Sequence, residues 1–312
     1  MDSKLLEYFV RVTELGSMNK AAADLGLSQP ALSRHIAALE HEMGTKLFNR
    51  TQVGVNLTEP GRLLADRARP LLRQFTIVKE QVGERAAGQL SIGIPPSWQH
   101  VFTSTFVSRM VKHHPSIRLR VHEGVSNVLR DHMLAGLLDL CIIPFDSSPA
   151  EGYAQTALVR DPLVLVRSAG ARLDSRSPVA LSALGGLKFV LPGRANVLRV
   201  QIEHALTRKG MQFATSVETD TLALCLDLAR EGVGATVVPA CALHRHGMGD
   251  AIEWAPIKGQ FITWAMFENE ARGHSQAVRE GRSLVMATLQ ETLASGVWPG
   301  AERTNVVDRA RH

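Results

Sequence analysis

At 312 residues, with 45% hydrophobic content and a mean hydropathy of −0.01, the chain is long enough for about two globular domains, each with its own core. No stretch approaches the roughly 18 consecutive apolar residues of a spanning helix, which excludes a helical membrane protein, and the start Met1-Asp2-Ser3-Lys4 does not lead a charged region into an apolar one, so a cytoplasmic protein is expected. The net charge of +5 divides into +2 for residues 1–90 and +3 for the rest, so charge balance alone does not announce a nucleic acid.

In chain order, Leu5, Leu6, Phe9, Val12 and Leu15 recur at helical spacing, and Gly16 ends the run. Ser17 is placed to cap a short second helix, Asn19 to Leu25, whose Ala21-Ala22-Ala23 lets another helix approach closely. Gly26 supplies a turn, Ser28 the next cap and Pro30 the first turn of a third helix, whose apolar stripe is Leu32, Ile36, Leu39 and Met43. This is a helix-turn-helix. Gln29 with Ser33, and Pro30 with Arg34, stand at i and i+4, so the four share the N-terminal face that would enter a major groove. Amide, hydroxyl and guanidinium groups suit base edges and phosphates. Short apolar alternations from Lys46 to Thr58 around Gly54 predict a hairpin wing, with Arg50 placed for the DNA backbone or minor groove. Ser17 and Lys20 also satisfy an S-x-x-K pattern, but Ser17 already has a capping role and no partner motif follows.

The segments Gly16-Ser17 with Ala21-Ala22-Ala23, Leu27-Ser28-Gln29-Pro30-Ala31-Leu32-Ser33, Leu39-Glu40, Leu47-Phe48-Asn49-Arg50 and Leu57-Thr58-Glu59-Pro60-Gly61 together resemble the winged helix of LysR-type transcriptional regulators. The likeness is continuous from Gly16 to Gly61, far more specific than a lone helix-turn-helix.

From Thr58 to Gly88 the chain reads as one helix of roughly 30 residues, some 45 Å long. Within it Leu64, Ala68, Leu71, Phe75, Val78 and Val82 recur at spacings of 4 and 3, the period of a dimerising coiled-coil seam, and Pro70 would kink it. The expected division is a DNA-binding domain at 1–58, a linker dimerisation helix at 59–88 and a two-lobed domain at 89–312.

That third part alternates strands and helices: Leu90 to Ile94, Val101 to His113, Ile117 to His122, Asn127 to Leu137, Leu140 to Ile143, then Lys188 to Leu191, Val197 to Lys209, Met211 to Val217, Thr221 to Glu231 and Ala235 to Val238. Leu158 to Val166 and Phe261 to Phe267 would be the two crossings, and a helix near Gln276 to Ala294 would return to the first lobe. The fold class is therefore α/β with an N-terminal winged helix-turn-helix and a periplasmic-binding-protein-like effector domain, lobe one at about 89–161 and 268–296 and lobe two at about 162–267. The LysR resemblance implies the same domain. Gly232 to Pro239 is similar to that family's glycine-rich turn into a core strand, and Leu90-Ser91-Ile92-Gly93, Leu191-Pro192 and Leu198-Arg199-Val200 are similar to its nitrogen assimilation control branch.

Ligands of such sheets bind beyond the C-terminal strand ends. Ser97 and Trp98 after the first strand, Phe145 after the third, and Arg194 and Asn196 in the second lobe are the expected effector-binding residues, with Ser97 at a helix N-terminus and Arg194 holding a small anion such as a carboxylate between them. Plain helix capping is the other reading of Ser97 and Asn196, and a solvated loop charge that of Arg194. His113-His114 and His244-Arg245-His246 do not share a helix face as metal ligands would, so no metal or cofactor is expected. Cys141, Cys225 and Cys241 read as buried small side chains, Trp254 and Trp264 as core, and Trp298 to His312 as a frayed tail.

The expected function is a DNA-binding, ligand-responsive regulator acting as a homodimer or homotetramer on operator DNA, with RNA polymerase a partner the resemblance admits. A regulator controlled by its own abundance and a solute-binding protein are the alternatives. An enzyme is not expected, because the cleft loops offer neither a nucleophile with a base nor a phosphate loop.

Overall fold

The computed structural model describes residues 2–51, 54–82, 88–243 and 251–304, and no side chain at 50–51, 73–74 or 76–82. Two compact units divide the chain, one built on the N-terminal helices and wing, the other on the α/β elements.

In the first unit, α1 (Ser3–Leu15), α2 (Met18–Asp24) and α3 (Gln29–Met43) begin and end where the local signals place them. Asp2, Ser17 and Ser28 each accept a first-turn N–H, while Gly16 and Gly44 close α1 and α3 in the left-handed conformation. Phe9 and Val12 of α1, Ala21 of α2, and Leu32 and Leu39 of α3 are fully buried together, and the buried alanines Ala21 and Ala22 let the helices close up. The wing is β1 (Phe48–Thr51) antiparallel to β2 (Gly54–Leu57), with Arg50 opposite Val55. Glu40 of α3 ties the wing down: its carboxylate accepts the N–H groups of Leu47 at 2.9 Å and Phe48 at 3.3 Å and the Lys46 ammonium at 2.7 Å. Burial opposes the Glu40 charge, but these donors outweigh it and hold the carboxyl below its ordinary range.

Helix α4 (Glu59–Val82) starts at Thr58, whose hydroxyl accepts from Gly61 N at 3.0 Å and donates to Lys46 O at 2.7 Å. Gly61 is required by crowding, since a Cβ there would stand 2.1 Å from Leu47 O. The helix runs through Pro70. Its inner stripe, Ala65 and Ala68 with Leu64 and Leu72 beside them, joins the winged-helix core, whereas Leu71 and Phe75 are about half exposed at 48% and 51%.

The second unit has a seven-stranded sheet in the order β11-β6-β10-β5-β3-β4, with β9 added along β6. Lobe one is β3 (Gln89–Ile94), α5 (Ser104–His113, entered through a π-helical turn at Gln99–Thr103), β4 (Arg118–Glu123), α6 (Ser126–Leu134) and β5 (Leu140–Pro144), the three strands parallel. Strands β3 and β5 are almost wholly buried because helices cover both faces, and so they read as continuous apolar runs. The long strands β6 (Tyr153–Ser168) and β10 (Ile252–Asn269) pair antiparallel and carry the chain between lobes. Lobe two adds β7 (Lys188–Leu191), α7 (Val197–Thr207), β8 (Ala214–Glu218), α8 (Leu222–Arg230) and β9 (Thr236–Pro239). Strand β7 is parallel to β8 and bridges to Ala235 beside β9. Helix α9 (Gln276–Ala294) returns to lobe one, burying Val278, Val285 and Leu289 in the core that holds Leu90 and Phe106.

Two expectations need correction. The return crossing falls within the expected Phe261 to Phe267, but the end of lobe two drawn at about 267 is too late, because Trp264 to Glu268 already pair with β5 of lobe one. The segment after α9 is not frayed up to Thr304: Trp298 is 3% exposed, and β11 (Glu302–Arg303) pairs with Arg160 and Val159 of β6. An indole of this size gains too much by burial to stay in water, and its N–H finds the carboxylate of Asp161. Residues 305–312 and the His244-Arg245-His246 run lie outside the described residues.

Candidate DNA-binding surface and effector cleft

On α3, Leu32, Ile36 and Leu39 point into the core, which turns Pro30 and Arg34 outward and leaves Gln29 and Ser33 half-buried on the same N-terminal face. Gln29 Nε2 donates to Ser33 Oγ at 2.9 Å, so this pair is pre-organised as one polar edge. Arg50 has its backbone in β1 beside that helix's wing, and its side chain lies outside the description. Of the expected dimer seam, Ala68 is fully buried in the core of the chain's own winged helix, and Leu64 is partly buried against the same core. Leu71 and Phe75 remain outward, and the side chains of Val78 and Val82 are outside the description.

In the second unit the strand orders reverse twice. Strands β4 and β5 flank β3, and β8 and β9 flank β7, so each lobe has a crevice at the C-terminal ends of its central strands. Both crevices open on one cavity of about 100 Å³, walled by Pro95, Ser97 and Pro144 from lobe one, by Pro192 and Pro239 from lobe two, and by Ile262 and Trp264 of the returning strand.

The expected first-contact residues divide. Ser97, 8% exposed, is on the wall, its hydroxyl against the Cys241 thiol. Asn196 is also on the wall, but its Oδ1 accepts from Leu198 N at 3.0 Å as the cap of α7. Trp98 is fully buried behind the wall, its ring edge-on to Trp264 and Trp298 at centroid distances of 5.8 and 4.8 Å. Phe145 and Arg194 are exposed and are not among the residues that line the cavity.

Sequence reasoning missed Thr219, Asp220 and Thr236, all on the wall, because each lies near a strand end or helix start that only the folded sheet brings to the cavity. Thr236 is wholly buried with no hydrogen-bonding nitrogen or oxygen partner among the described residues, and Cys225 is its soft neighbour. Burial pushes the Cys225 thiol up to about 11, and that of Cys241 well above the ordinary range, which favours the protonated form of both. Asp161, behind Trp264, was also overlooked, although an aspartate inside the apolar run Leu158 to Val166 was a readable signal. Among the described residues no three His, Cys, Asp or Glu are grouped to hold a metal ion, and no helix is long and apolar enough to cross a membrane.

A winged helix with an outward polar recognition face, followed by a two-lobed domain closed around a small cavity, defines a DNA-binding regulator with an effector-binding domain. The comparisons with known proteins agree. The model of the bacterial regulatory helix-turn-helix protein, lysR family, matches residues 3–62, and that of the LysR substrate binding domain matches residues 83–290. The nitrogen assimilation regulatory protein nac of Klebsiella aerogenes is 31% identical over 290 residues, covering 90% of this chain and 93% of that protein. A full-length OxyR variant from Pseudomonas aeruginosa shares the fold with a TM-score of 0.69 at 22% identity, covering 98% of both chains. Full-length CbnR in complex with its target DNA does so with a TM-score of 0.66 at 19% identity, covering 94% of this chain and all of that one. The chain belongs to the LysR family of transcriptional regulators.

Proposed function

We propose that this regulator acts in the cytoplasm as an oligomer that holds operator DNA through the first turns of α3 and the wing, and that a small molecule in the cleft alters how it does so. The observation that carries the reading is the outward face of α3, where Pro30 and Arg34 stand exposed beside the bonded pair Gln29 and Ser33 while the apolar stripe holds the helix from behind. Side chains of this kind at a helix N-terminal face recognise base edges in a major groove.

The oligomer would form along α4 from Leu71 onward, where two large apolar side chains stay in water in the single chain. A ligand that binds one arrangement of the lobes better than another shifts the population by that difference in affinity, and so moves whatever is joined to them. Fluorescence polarisation with the DNA upstream of the protein's own gene tests the reading. Saturable binding that survives an excess of unrelated DNA is expected; equal affinity for both DNAs at every salt concentration would overturn it.

A further inference from the structure

We propose that the effector is uncharged where it enters the cavity: a small, mainly apolar molecule presenting a hydroxyl or amide, rather than a free carboxylate or phosphate. The inference rests on reading the cleft as the effector site. Among the described residues the wall contains no Lys, Arg or His. Its ionisable side chains are the carboxylate of Asp220, which accepts Gly193 N–H at 2.9 Å, and the thiol of Cys225, which burial raises to about 11. Arg194 is exposed off the wall, and the nearby Arg199, itself not on the wall, is paired with Glu203 at 2.6 Å and Glu218 at 2.9 Å and donates to Pro192 O at 2.8 Å. An anion entering here would leave its hydration behind, meet no cation among the described residues of the wall and approach a carboxylate, which is the costliest combination for a buried charge.

Two of the donors at the helix starts around the cavity are already engaged. Leu198 N–H of α7 is closed by Asn196 Oδ1, and Thr221 N–H ahead of α8 by Thr219 Oγ1 at 3.3 Å. The floor of Val237, Val238, Pro239, Ile262 and Trp264 is apolar and favours a hydrocarbon frame. Thr236 supplies the polar requirement. Its hydroxyl is wholly buried on the wall with no nitrogen or oxygen partner among the described residues, and buried hydroxyls are nearly always paired. A hydroxyl or amide on the ligand completes it, whereas the sulfur of Cys225 is a weak partner.

The test is calorimetry and thermal shift on the full-length protein with a panel of small compounds in which each carboxylate is paired with the amide, alcohol and amine of the same carbon frame. Benzoate, benzamide, benzyl alcohol and benzylamine form one such set. The amide or alcohol of a binding frame is expected to bind at least about tenfold more tightly than its carboxylate or amine. Thr236→Val, which removes the hydroxyl at nearly constant shape, should erase about tenfold of that preference. A carboxylate or amine preferred over its amide and alcohol overturns the proposal and leaves the cleft reading standing. Binding unaffected in Thr236→Val overturns the role of that hydroxyl, and binding by no compound in the panel overturns the cleft reading together with the proposal.

Discussion

Trp298 donates its indole N–H to Asp161 Oδ1 at 2.9 Å, a bond that spans 137 positions and fastens the segment after α9 to the strand where the lobes meet. The same carboxyl accepts Trp264 Nε1 at 3.1 Å on its other oxygen and is approached by the thiol and backbone N–H of Cys241. Since Trp264 and Ser97 both line the cavity and Ser97 touches Cys241, a continuous polar path leads from the cleft to a fully buried acid. Ligand arrival should therefore change the tryptophan fluorescence of the Trp98, Trp264 and Trp298 cluster. An emission spectrum indifferent to a ligand that calorimetry shows to bind would separate the path from the cleft.

Burial raises the Asp161 carboxyl to about 6, against the opposing pull of Trp298, Cys241 and Trp264. A folded-state value above the unfolded 3.8 means a contribution to stability that is fully present below 3.8 and lost as the pH rises through about 6. The span corresponds to a change on the order of 3 kcal/mol. Asp161→Asn, which cannot ionise, should lose this term, so its stability relative to the parent should improve between pH 4 and pH 7 in urea titrations. A difference constant across that interval would mean that Asp161 is not the titrating group.

Lobe one contains a second buried acid, this one paired. Arg272 Nε lies 2.9 Å from Asp139 Oδ1 with both side chains out of solvent, Arg272 also donates to Gln89 O at 3.1 Å, and Asp139 Oδ2 accepts Ser91 N–H at 2.7 Å. Removing one partner strands the other, so Arg272→Met should destabilise the effector domain by about 3–5 kcal/mol. The double variant Arg272→Met with Asp139→Asn should recover much of that loss. Equal stability of parent and single variant in denaturant titrations would count against the pair as a strut.

The local features of this chain were legible because their causes are local. Ser17, Ser28 and Gly16 act within four residues of themselves, and β7 and α9 fall at the predicted residues because apolar period and flanking turns agree there. The heptad on α4 was ambiguous for a physical reason: period marks apolar positions without saying which are taken by the chain's own core, and Ala68 is taken. The cavity was legible only as a set of strand ends. Arg194 is a charge beside a helix start and stands out in the sequence, yet the polar groups of the wall come from small residues such as Thr236 that only sheet order assembles. Trp298 was misread because Pro299-Gly300 suggests a loose end and Asp161 lies far away in sequence.

For the oligomer, the exposed half of the α4 stripe is decisive. Phe75→Glu or Leu71→Glu adds a charge to a side chain that is already solvated in the single chain, so the fold should tolerate it. In a dimer the same carboxylate would be buried against its twin and strongly disfavoured. Sedimentation of either variant should show the monomer mass with an unchanged circular dichroism spectrum. Retention of the parent mass would place the subunit contact elsewhere.

The recognition face makes two distinguishable demands on DNA. Arg34 is exposed one turn into α3, at i+4 from Pro30, where a guanidinium can meet a base edge, so Arg34→Ala should weaken specific binding by about 1–3 kcal/mol without loss of fold. Arg50 stands on the wing opposite Val55, where a cation serves the phosphate backbone, so Arg50→Ala should weaken all sequences alike and reduce the salt slope by about one. Gly61→Ala tests whether the wing must be held for either contact, since its Cβ would meet Leu47 O at 2.1 Å and push β1 away from α4. That variant should lose specific binding while α1 to α3 remain folded, a loss that neither arginine substitution alone would reproduce. Polarisation titrations across salt with operator and scrambled DNA separate the three. Should Arg34→Ala and Arg50→Ala both match the parent on operator DNA at every salt concentration, α3 and the wing are not the surface that reads it.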